Sequence, residues 1–423
     1  MDKVIPEEAA QTGRSWAIFW IGSLGFVLSM FYRVSTTVIS PELSKDLNLT
    51  TAQLGLLSSA FFYGFALCQI PLGLALDRFG PRVVVTLFNT FAVFGALLFA
   101  VAQDLQQIFW ARILMGIGMS CNLMGGLTLI AVWFPVNRFA TLNGLYAGIG
   151  VLGNLLAATP LALLAHTLGW RQSFLFFAGF NALQVLGYFF IVRDRPLGQS
   201  KPLTAMINPL KGLKQVIHFS SYWIISWGTF FRYGCLMALQ GLWAGPYLMN
   251  GLGMDILTTG NALLLMGLGY MVGLPLFGRI SDHLVRSRKM VILPSLWGMA
   301  FLILALAFLP RGLHPAWIYL WFLVMGMASA PGQIMYSHIK ELVPAEVMAT
   351  SMTGVNLFTM LGAAFLMQVM GLVVEAGPQG LNHPEAFRPA WYVCVAGLSI
   401  SAILYFFIPD SRILKEQSSR TPK

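Results

Sequence analysis

Charged side chains are scarce in this sequence. Only 10% of its 423 residues are Asp, Glu, Lys or Arg, whereas 57% are hydrophobic, and the mean hydropathy is +0.72. Soluble proteins usually carry about a quarter charged residues, so the composition excludes an ordinary soluble domain. The few charges stand in short segments between long apolar runs. This distribution predicts an integral membrane protein.

Several functional signals are also missing. No Walker phosphate-binding loop occurs, which argues against ATP-driven transport by this chain. The six histidines are scattered without metal-ligand spacing, so we expect no metal site and no cofactor. The four cysteines all fall inside apolar runs, and we expect no disulfides. Residues 1–13 lack a signal-peptide pattern, so the first apolar run is expected to remain as a helix. No enzyme motif is present.

Twelve apolar runs are each long enough to cross a hydrocarbon core of about 30 Å as a helix. They predict an all-α integral membrane protein, and their lengths argue against the short alternating strands of a β-barrel. A polar stretch at 194–219 separates six runs from six. The runs are 15–39, 51–76, 83–103, 106–134, 139–165, 171–192, 220–249, 256–281, 289–309, 315–339, 347–374 and 387–409. The predicted organisation is an N-terminal tail (1–14), a first six-helix half (15–193), a central loop (194–219), a second half (220–409) and a C-terminal tail (410–423).

Basic residues set the predicted orientation. With the N-terminus inside, nineteen of the 26 Lys and Arg residues fall in inner segments and four in outer ones. Both termini and the central loop are therefore expected to be cytoplasmic, in a multi-pass protein of a bacterial inner membrane. The net charge of +10 then reflects inner loops facing an anionic leaflet and requires no nucleic-acid partner.

The two halves repeat each other. Gly73 and Asp77 follow the second run, and Gly278 and Asp282 follow the eighth, each pair 205 positions apart. A parallel repeat of two six-helix halves is the architecture that secondary transporters use to rock around a central site.

The repeated loops carry a family resemblance. The segment from Gly73 to Arg82 reads G-x-x-x-D-R-x-G-x-R, a degraded copy follows the eighth run, and Arg112-x-x-x-Gly116-x-Gly118 resembles a second motif. Together with the span count and repeat, these resemble the major facilitator superfamily, which implies transport by alternating access. The resemblance implies a gating role for these loop and helix residues, the alternative being ordinary solvated loop charges. The gating candidates are Gly73, Asp77, Arg78, Gly80, Arg82, Arg112, Gly278 and Asp282.

Acidic residues are absent from the middle of every run, whereas three arginines lie within runs. A charge at this depth is a functional candidate because burial in the bilayer is costly. Arginine binds carboxylates and phosphates through paired N–H groups, so the sequence predicts an anionic solute and disfavours a cationic one. Arg232, near the middle of its run, is the first candidate ligand and Arg33 the second. For Arg112, helix packing or gating is favoured over ligand contact.

Arg33 and Arg232 also resemble the basic pair of organophosphate:phosphate antiporters. They are 199 positions apart, however, whereas the repeat requires 205, so the pair is not symmetric. Phosphate esters therefore remain one class beside carboxylates. Six polar residues within runs are further binding candidates, although membrane helices also use such side chains to bond to one another. They are Asn122, Tyr146, Gln240, Tyr32, Tyr336 and Asn356.

The sequence thus predicts a secondary transporter that moves a small organic anion, a carboxylate or an organophosphate, across the cytoplasmic membrane. Alternative functions are a carrier of amino acids or short peptides, a non-transporting membrane sensor, and a drug exporter. The expected partners are the solute, the lipid bilayer and a coupling ion or counter-substrate, for a chain that works as a monomer.

Overall fold

The computed structural model describes residues 13–196, 215–344, 347–377 and 383–410. Within these ranges every regular element is helical, which confirms the predicted all-α membrane fold. Eleven of the described helices are long and apolar enough to cross a membrane. The seventh predicted run, 220–249, is helical but falls outside those eleven. It is the run that carries Arg232 and Gln240.

The chain divides into two compact units. The first contains residues 1–48 and 60–205, and the second contains 49–59 and 206–423. The helices of the N-terminal half are α1 (Gly13–Val34, continued by Thr36–Leu47), α2 (Thr51–Phe79), α3 (Pro81–Val101), α4 (Leu105–Met119 and Asn122–Trp133), α5 (Val136–Leu156 and Thr159–Leu168) and α6 (Trp170–Phe190).

The C-terminal half has six further helices, three of which (α7, α8 and α10) contain segments of changed pitch. They are α7 (Ser220–Ala238, then π-helical Leu239–Trp243, Ala244–Pro246 and π-helical Tyr247–Gly251), α8 (Ile256–Arg279, ending in π-helical Ile280–Leu284), α9 (Lys289–Leu306), α10 (Pro315–Ser329, 3₁₀ Ala330–Gln333 and Ile334–Leu342), α11 (Met348–Glu375) and α12 (Arg388–Phe406, preceded by 3₁₀ Pro384–Phe387).

Glycines allow pairs of helices to touch backbone to backbone. In the first unit, a Cβ on Gly116 of α4 would lie 1.9 Å from the carbonyl oxygen of Phe61 in α2. In the second, a Cβ on Gly326 of α10 would lie 2.0 Å from the carbonyl oxygen of Met266 in α8. A helix interior normally disfavours glycine, so these positions are explained by packing. Helix pairs α2–α4 and α8–α10 therefore use the same contact, as the repeat predicts.

Acidic residues stand at helix starts. Asp104 and Asp255 are the N-caps of α4 and α8, and their side chains accept hydrogen bonds from the backbone N–H groups of Gln107 and Thr258, both at 2.8 Å. An N-terminal turn leaves backbone donors unsatisfied, and a carboxylate satisfies one of them. Two of the acids that the sequence places near run ends are thus used to begin helices.

Candidate functional site

Arg232 lies in α7, inside the second unit. Its side chain is buried, with 4% of the residue exposed. Its Nε is buried and has no hydrogen-bond partner among the described residues. A buried cation is normally paired, because removal from water is costly. An anionic ligand would supply the missing partner.

Tyrosine hydroxyls surround this guanidinium. Tyr233 follows it in α7, Tyr270 belongs to α8 and Tyr336 to α10, and all three lie within electrostatic range of Arg232. The second unit therefore brings one of the predicted binding residues, Tyr336, to the predicted arginine. Tyr270 is a neighbour that the sequence reading missed, because position in a run does not show which helix face meets another run.

The Tyr336 hydroxyl joins α10 to α11. It donates to Asn356 Oδ1 at 3.1 Å and lies 3.0 Å from Thr359 Oγ1, one helical turn further along α11. Asn356 was predicted, whereas Thr359 was not. Its spacing of three residues from Asn356 puts both on one helix face, a signal that could have found it. The result is a patch of neutral donors and acceptors beside a buried cation.

Gln240 occupies a different part of α7. It is buried in the π-helical segment Leu239–Trp243, eight residues beyond Arg232. Such segments occur frequently at functional sites because they shift side chains relative to a regular helix. The predicted binding role of Gln240 stays a prediction.

In the first unit, Arg33 of α1 is 5% exposed, and its guanidinium carbon lies 4.6 Å from the centre of the Phe65 ring in α2. A buried cation over an aromatic face gains a cation–π interaction. The neighbouring Tyr32 is fully buried, and its ring packs against Phe31 and against Phe174 of α6. Arg33 and Tyr32 are thus adjacent in sequence but packed against different helices.

Asn122 and Tyr146 use their polar atoms to join helices. Asn122 and Asn89 of α3 exchange a reciprocal pair of amide hydrogen bonds at 3.0 and 3.1 Å. The Tyr146 hydroxyl lies 2.7 Å from the carbonyl oxygen of Asn122 and 3.1 Å from that of Gly22 in α1. These contacts favour the packing alternative that the sequence left open for both residues.

Arg112 in α4 is fully buried against α1 and α2. Its Nη1 donates to the Tyr32 carbonyl oxygen at 2.7 Å, and its guanidinium carbon lies 5.1 Å from the centre of the Phe61 ring. The first segment of α1 ends at Val34, where helix carbonyls lose their helical partners. Arg112 supplies a donor at that end, which agrees with the packing role favoured over ligand contact.

The loop between α2 and α3 is hydrogen-bonded to the C-terminal end of α6 and to the residues that follow it. Gly80 has φ +83°, and a Cβ there would lie 2.5 Å from the Asp194 carboxylate, so the position requires glycine. Asp194 accepts the backbone N–H of Arg82 at 2.7 Å, and the Arg82 guanidinium donates to the Phe189 carbonyl oxygen at 2.6 Å. Arg82 thus contacts a helix of its own unit.

The other gating candidates of the first repeat lie in the last turns of α2. Gly73 is exposed, and a Cβ there would meet no atom within 4 Å. Arg78 is exposed over the ring of Phe79. The side chain of Asp77 lies outside what the structure describes.

The corresponding loop between α8 and α9 contains an ion-pair network. Arg288 bonds to the carboxylate of Asp282 and to Glu341 of α10, the latter at 3.2 Å, and donates to Ser281 Oγ at 3.0 Å. Burial opposes the charge of Arg288, but its hydrogen bonds to the carboxylates of Asp282 and Glu341 outweigh that effect and raise the pKa of Arg288. The charge is therefore fixed. Around the predicted gating residue Gly278 there is open space.

The family model described as Major Facilitator Superfamily matches residues 21–244 and 225–423. The chain belongs to the Major Facilitator Superfamily. This membership confirms the resemblance found in the sequence, and it confirms a multi-pass membrane transporter in place of an enzyme. In the part of the chain that the structure describes, no group of three or more His, Cys, Asp or Glu residues is arranged to hold a metal ion.

Curated relatives in the superfamily are distant. The "Probable L-galactonate transporter" of Escherichia coli (strain K12) is 22% identical over 90% of this chain and 86% of its own length. The "Probable galactarate/D-glucarate transporter GudP" of the same organism is 25% identical over 64% and 68%. The "Uncharacterized transporter YybO" of Bacillus subtilis (strain 168) is 26% identical, and this chain spans 60% of its length.

Solved structures support the major facilitator fold. A bacterial homologue of the human lysosomal transporter Spinster superposes with a TM-score of 0.77 at 16% identity, covering 94% of this chain and 97% of that one. A D-xylose–proton symporter superposes with a TM-score of 0.76 at 15% identity, covering 94% and 98%. At this identity the likeness shows the fold alone.

Proposed function

We propose that this transporter carries a small organic anion, and that the anion is a hydroxylated carboxylate of the sugar-acid class. The observation that carries the proposal is the state of Arg232. Its guanidinium is buried, and its Nε has no hydrogen-bond partner among the described residues. Arginine binds a carboxylate through two parallel N–H donors, so an acidic substrate would complete this site.

The hydroxyl-bearing part of the solute would be bound by neighbouring neutral groups. Tyr336, Asn356 and Thr359 form a patch of donors and acceptors that extends from α10 to α11. Polyhydroxy acids need such groups, because each substrate hydroxyl leaves water on binding and must regain hydrogen bonds. The relatives named for L-galactonate and for galactarate/D-glucarate support the same solute class.

We propose that Arg33 gives the N-terminal half a second cationic group for the anion, because it is buried on α1 over Phe65. Gln240 and Tyr32 stay in the proposal as lesser candidates. Asn122 and Tyr146 already bond to neighbouring helices, which favours packing for both. Arg112 donates to α1 through Nη1 and stays a candidate for packing or gating.

Alternating access supplies the mechanism that we propose for moving the anion. The gating residues are Gly73, Asp77, Arg78, Gly80, Arg82, Gly278 and Asp282, which are supported as a group by their place in the two repeated loops. Each of the two loops is held by contacts within its own unit, the first by a hydrogen bond to Asp194 and the second by the ion pairs of Arg288. Ordered loops of this kind suit rigid-body movement, since each half would carry its loop as it rocks.

Transport into proteoliposomes tests the proposal. The panel is labelled L-galactonate, galactarate and D-glucarate, with glycerol 3-phosphate for organophosphates and alanine for zwitterions. We expect at least one sugar acid to be transported, and we expect Arg232→Ala to abolish its uptake. The structural control is Gly298→Ala, at an α9 glycine whose Cβ would meet no atom within 4 Å.

The possible outcomes separate the alternatives. Uptake of glycerol 3-phosphate without uptake of any sugar acid would favour the organophosphate class. Uptake of alanine alone would favour an amino-acid carrier. Full sugar-acid uptake by Arg232→Ala would refute the arginine site.

A further inference from the structure

Helix α10 changes pitch next to the proposed anion site. Its first α-helical segment ends at Ser329, a 3₁₀ turn follows over Ala330–Gln333, and a second α-helical segment begins at Ile334. Pro331 lies inside this turn and has no N–H for a regular helical hydrogen bond. The segment Ala-Pro-Gly-Gln therefore interrupts the α-helical hydrogen bonding of α10 one turn before Tyr336.

Gly332 in this turn lies directly against the Arg232 guanidinium. An ideal Cβ built on Gly332 would be 1.2 Å from Nη1, 1.8 Å from Cζ and 2.1 Å from Nε of Arg232. No other described glycine has a neighbour so close to its missing Cβ. The planar cation thus occupies the volume in which any other residue would have its side chain.

We propose that Gly332 is a positioning residue for substrate binding, since it fixes where the Arg232 guanidinium lies and which of its N–H groups can meet the anion. This inference rests on the proposed function and adds a specificity-determining residue to it. Two parallel hydrogen bonds to a carboxylate require the two planar groups to be aligned. A methyl group at residue 332 cannot coexist with the present guanidinium position, so Arg232 would have to leave that alignment.

The proposal extends to the neighbouring tyrosine. Tyr336 lies in the first turn of the α-helical segment that follows Gly332, and it interacts electrostatically with Arg232. The turn that places Gly332 against Arg232 therefore also orients the hydroxyl that bonds to Asn356 and Thr359. One short segment would set the distance between the carboxylate-binding group and the hydroxyl-binding group, and that distance would select the length of the acid.

The test measures initial uptake of L-galactonate, or of whichever acid in the panel the wild type transports fastest. For Gly332→Ala we expect KM to rise about 10- to 100-fold, the effect of losing a hydrogen bond to a charged group. The maximal rate should change much less, because the helices that rock would be intact. Gly298→Ala should leave both constants within about twofold of the wild type, since its Cβ enters open space.

A second background separates positioning from general packing. Lysine lacks the planar group that lies on Gly332, so in an Arg232→Lys protein the additional Gly332→Ala change should alter KM by less than about twofold. A packing role alone would give the same KM change in both backgrounds and would overturn the inference. This double variant also keeps the test available where Gly332→Ala alone fails to fold.

The two proposals fail in different ways. Uptake that survives Arg232→Ala would refute the arginine site itself. Uptake that is lost in Arg232→Ala while Gly332→Ala keeps the wild-type KM would leave the arginine site standing and overturn the role of Gly332.

Discussion

Replacing Gly326 with alanine tests whether the glycine contacts decide how closely the helices of a unit pack. Gly326 lies in α10, and its missing Cβ would be 2.0 Å from the carbonyl oxygen of Met266 in α8. Side-chain rotation cannot relieve this clash, because the obstructing atom belongs to the backbone. Real Cβ contacts are essentially never shorter than 3.0 Å, so the two helices would have to separate by about 1 Å.

The cost of that separation follows from the range of dispersion forces. One pair of non-bonded heavy atoms at its best distance is attracted by about 0.1–0.2 kcal/mol. An added gap of about 0.5–1 Å removes a quarter to a half of that attraction. With on the order of 50 such pairs across the α8–α10 contact, the loss is about 2–3 kcal/mol. Alanine recovers about 1 kcal/mol of helix propensity relative to glycine. The net destabilisation expected for Gly326→Ala is therefore about 1–2 kcal/mol.

Gly298→Ala is the matched control. It makes the same chemical change within α9 of the same unit, but its Cβ would meet no atom within 4 Å. Only the propensity gain of about 1 kcal/mol applies there, so this variant should be more stable than the wild type. The two substitutions are therefore predicted to have opposite signs.

Thermal unfolding of the purified protein in detergent, followed by far-ultraviolet circular dichroism, measures the difference. A change of 1 kcal/mol corresponds to about 2–4 °C in Tm for units of 150–250 residues. We expect Gly326→Ala to lower Tm by about 2–8 °C and Gly298→Ala to raise it by about 2–4 °C. Equal shifts in the same direction would refute the reasoning, since they would mean that the backbone contact does not set the helix separation.

Two further predictions concern carboxylates outside the candidate spans. Asp255→Ala removes the N-cap of α8, whose carboxylate bonds to Thr258, and should cost about 1 kcal/mol in the free energy of unfolding; an unchanged denaturant midpoint would contradict the capping role. Asp46 accepts hydrogen bonds from Trp170 and Arg171, which lower its pKa. Its stabilisation is therefore present above the ordinary Asp pKa of about 3.9 and is lost as the pH falls through the depressed folded value. Because Asp46 and Arg171 are partly exposed, this term should be below about 1 kcal/mol. The Tm gap between wild type and Asp46→Asn should narrow as the pH falls below the ordinary Asp pKa of about 3.9, and a constant gap would refute the assignment.

Much of the fold could be predicted from the sequence because the bilayer imposes a local rule. Each crossing needs about 20 apolar residues, so the runs and their approximate ends were visible without any knowledge of neighbours. The 205-residue offset between Gly73 and Gly278 also lies in the sequence itself. It recurs in the structure as the offset between Gly64 of α2 and Gly269 of α8, which both pack against backbone carbonyls.

The candidate site was only partly predictable. Scarcity of acids drew attention to the arginines, and position along a run ranked Arg232 above Arg112. Their partners depend on contacts between helices far apart in sequence. Arg112 reaches the Tyr32 carbonyl, 80 residues away, whereas the buried Nε of Arg232 has no hydrogen-bond partner among the described residues. A sequence position gives depth in the membrane but not the helix that faces it.

The sequence by itself determined the class of molecule, the number and approximate ends of its helices, and the absence of acids from the middle of its apolar runs, because each of these depends on local hydrophobicity and residue type. Only the tertiary structure shows which polar residues bond to neighbouring helices. Asn122 and Tyr336 are similar predictions in the sequence, yet the first is paired with Asn89 and the second lies beside Arg232. It also decided that Gly332, one glycine among 42, lies under the buried cation, since only the packing of α10 against α7 puts a guanidinium where its side chain would be.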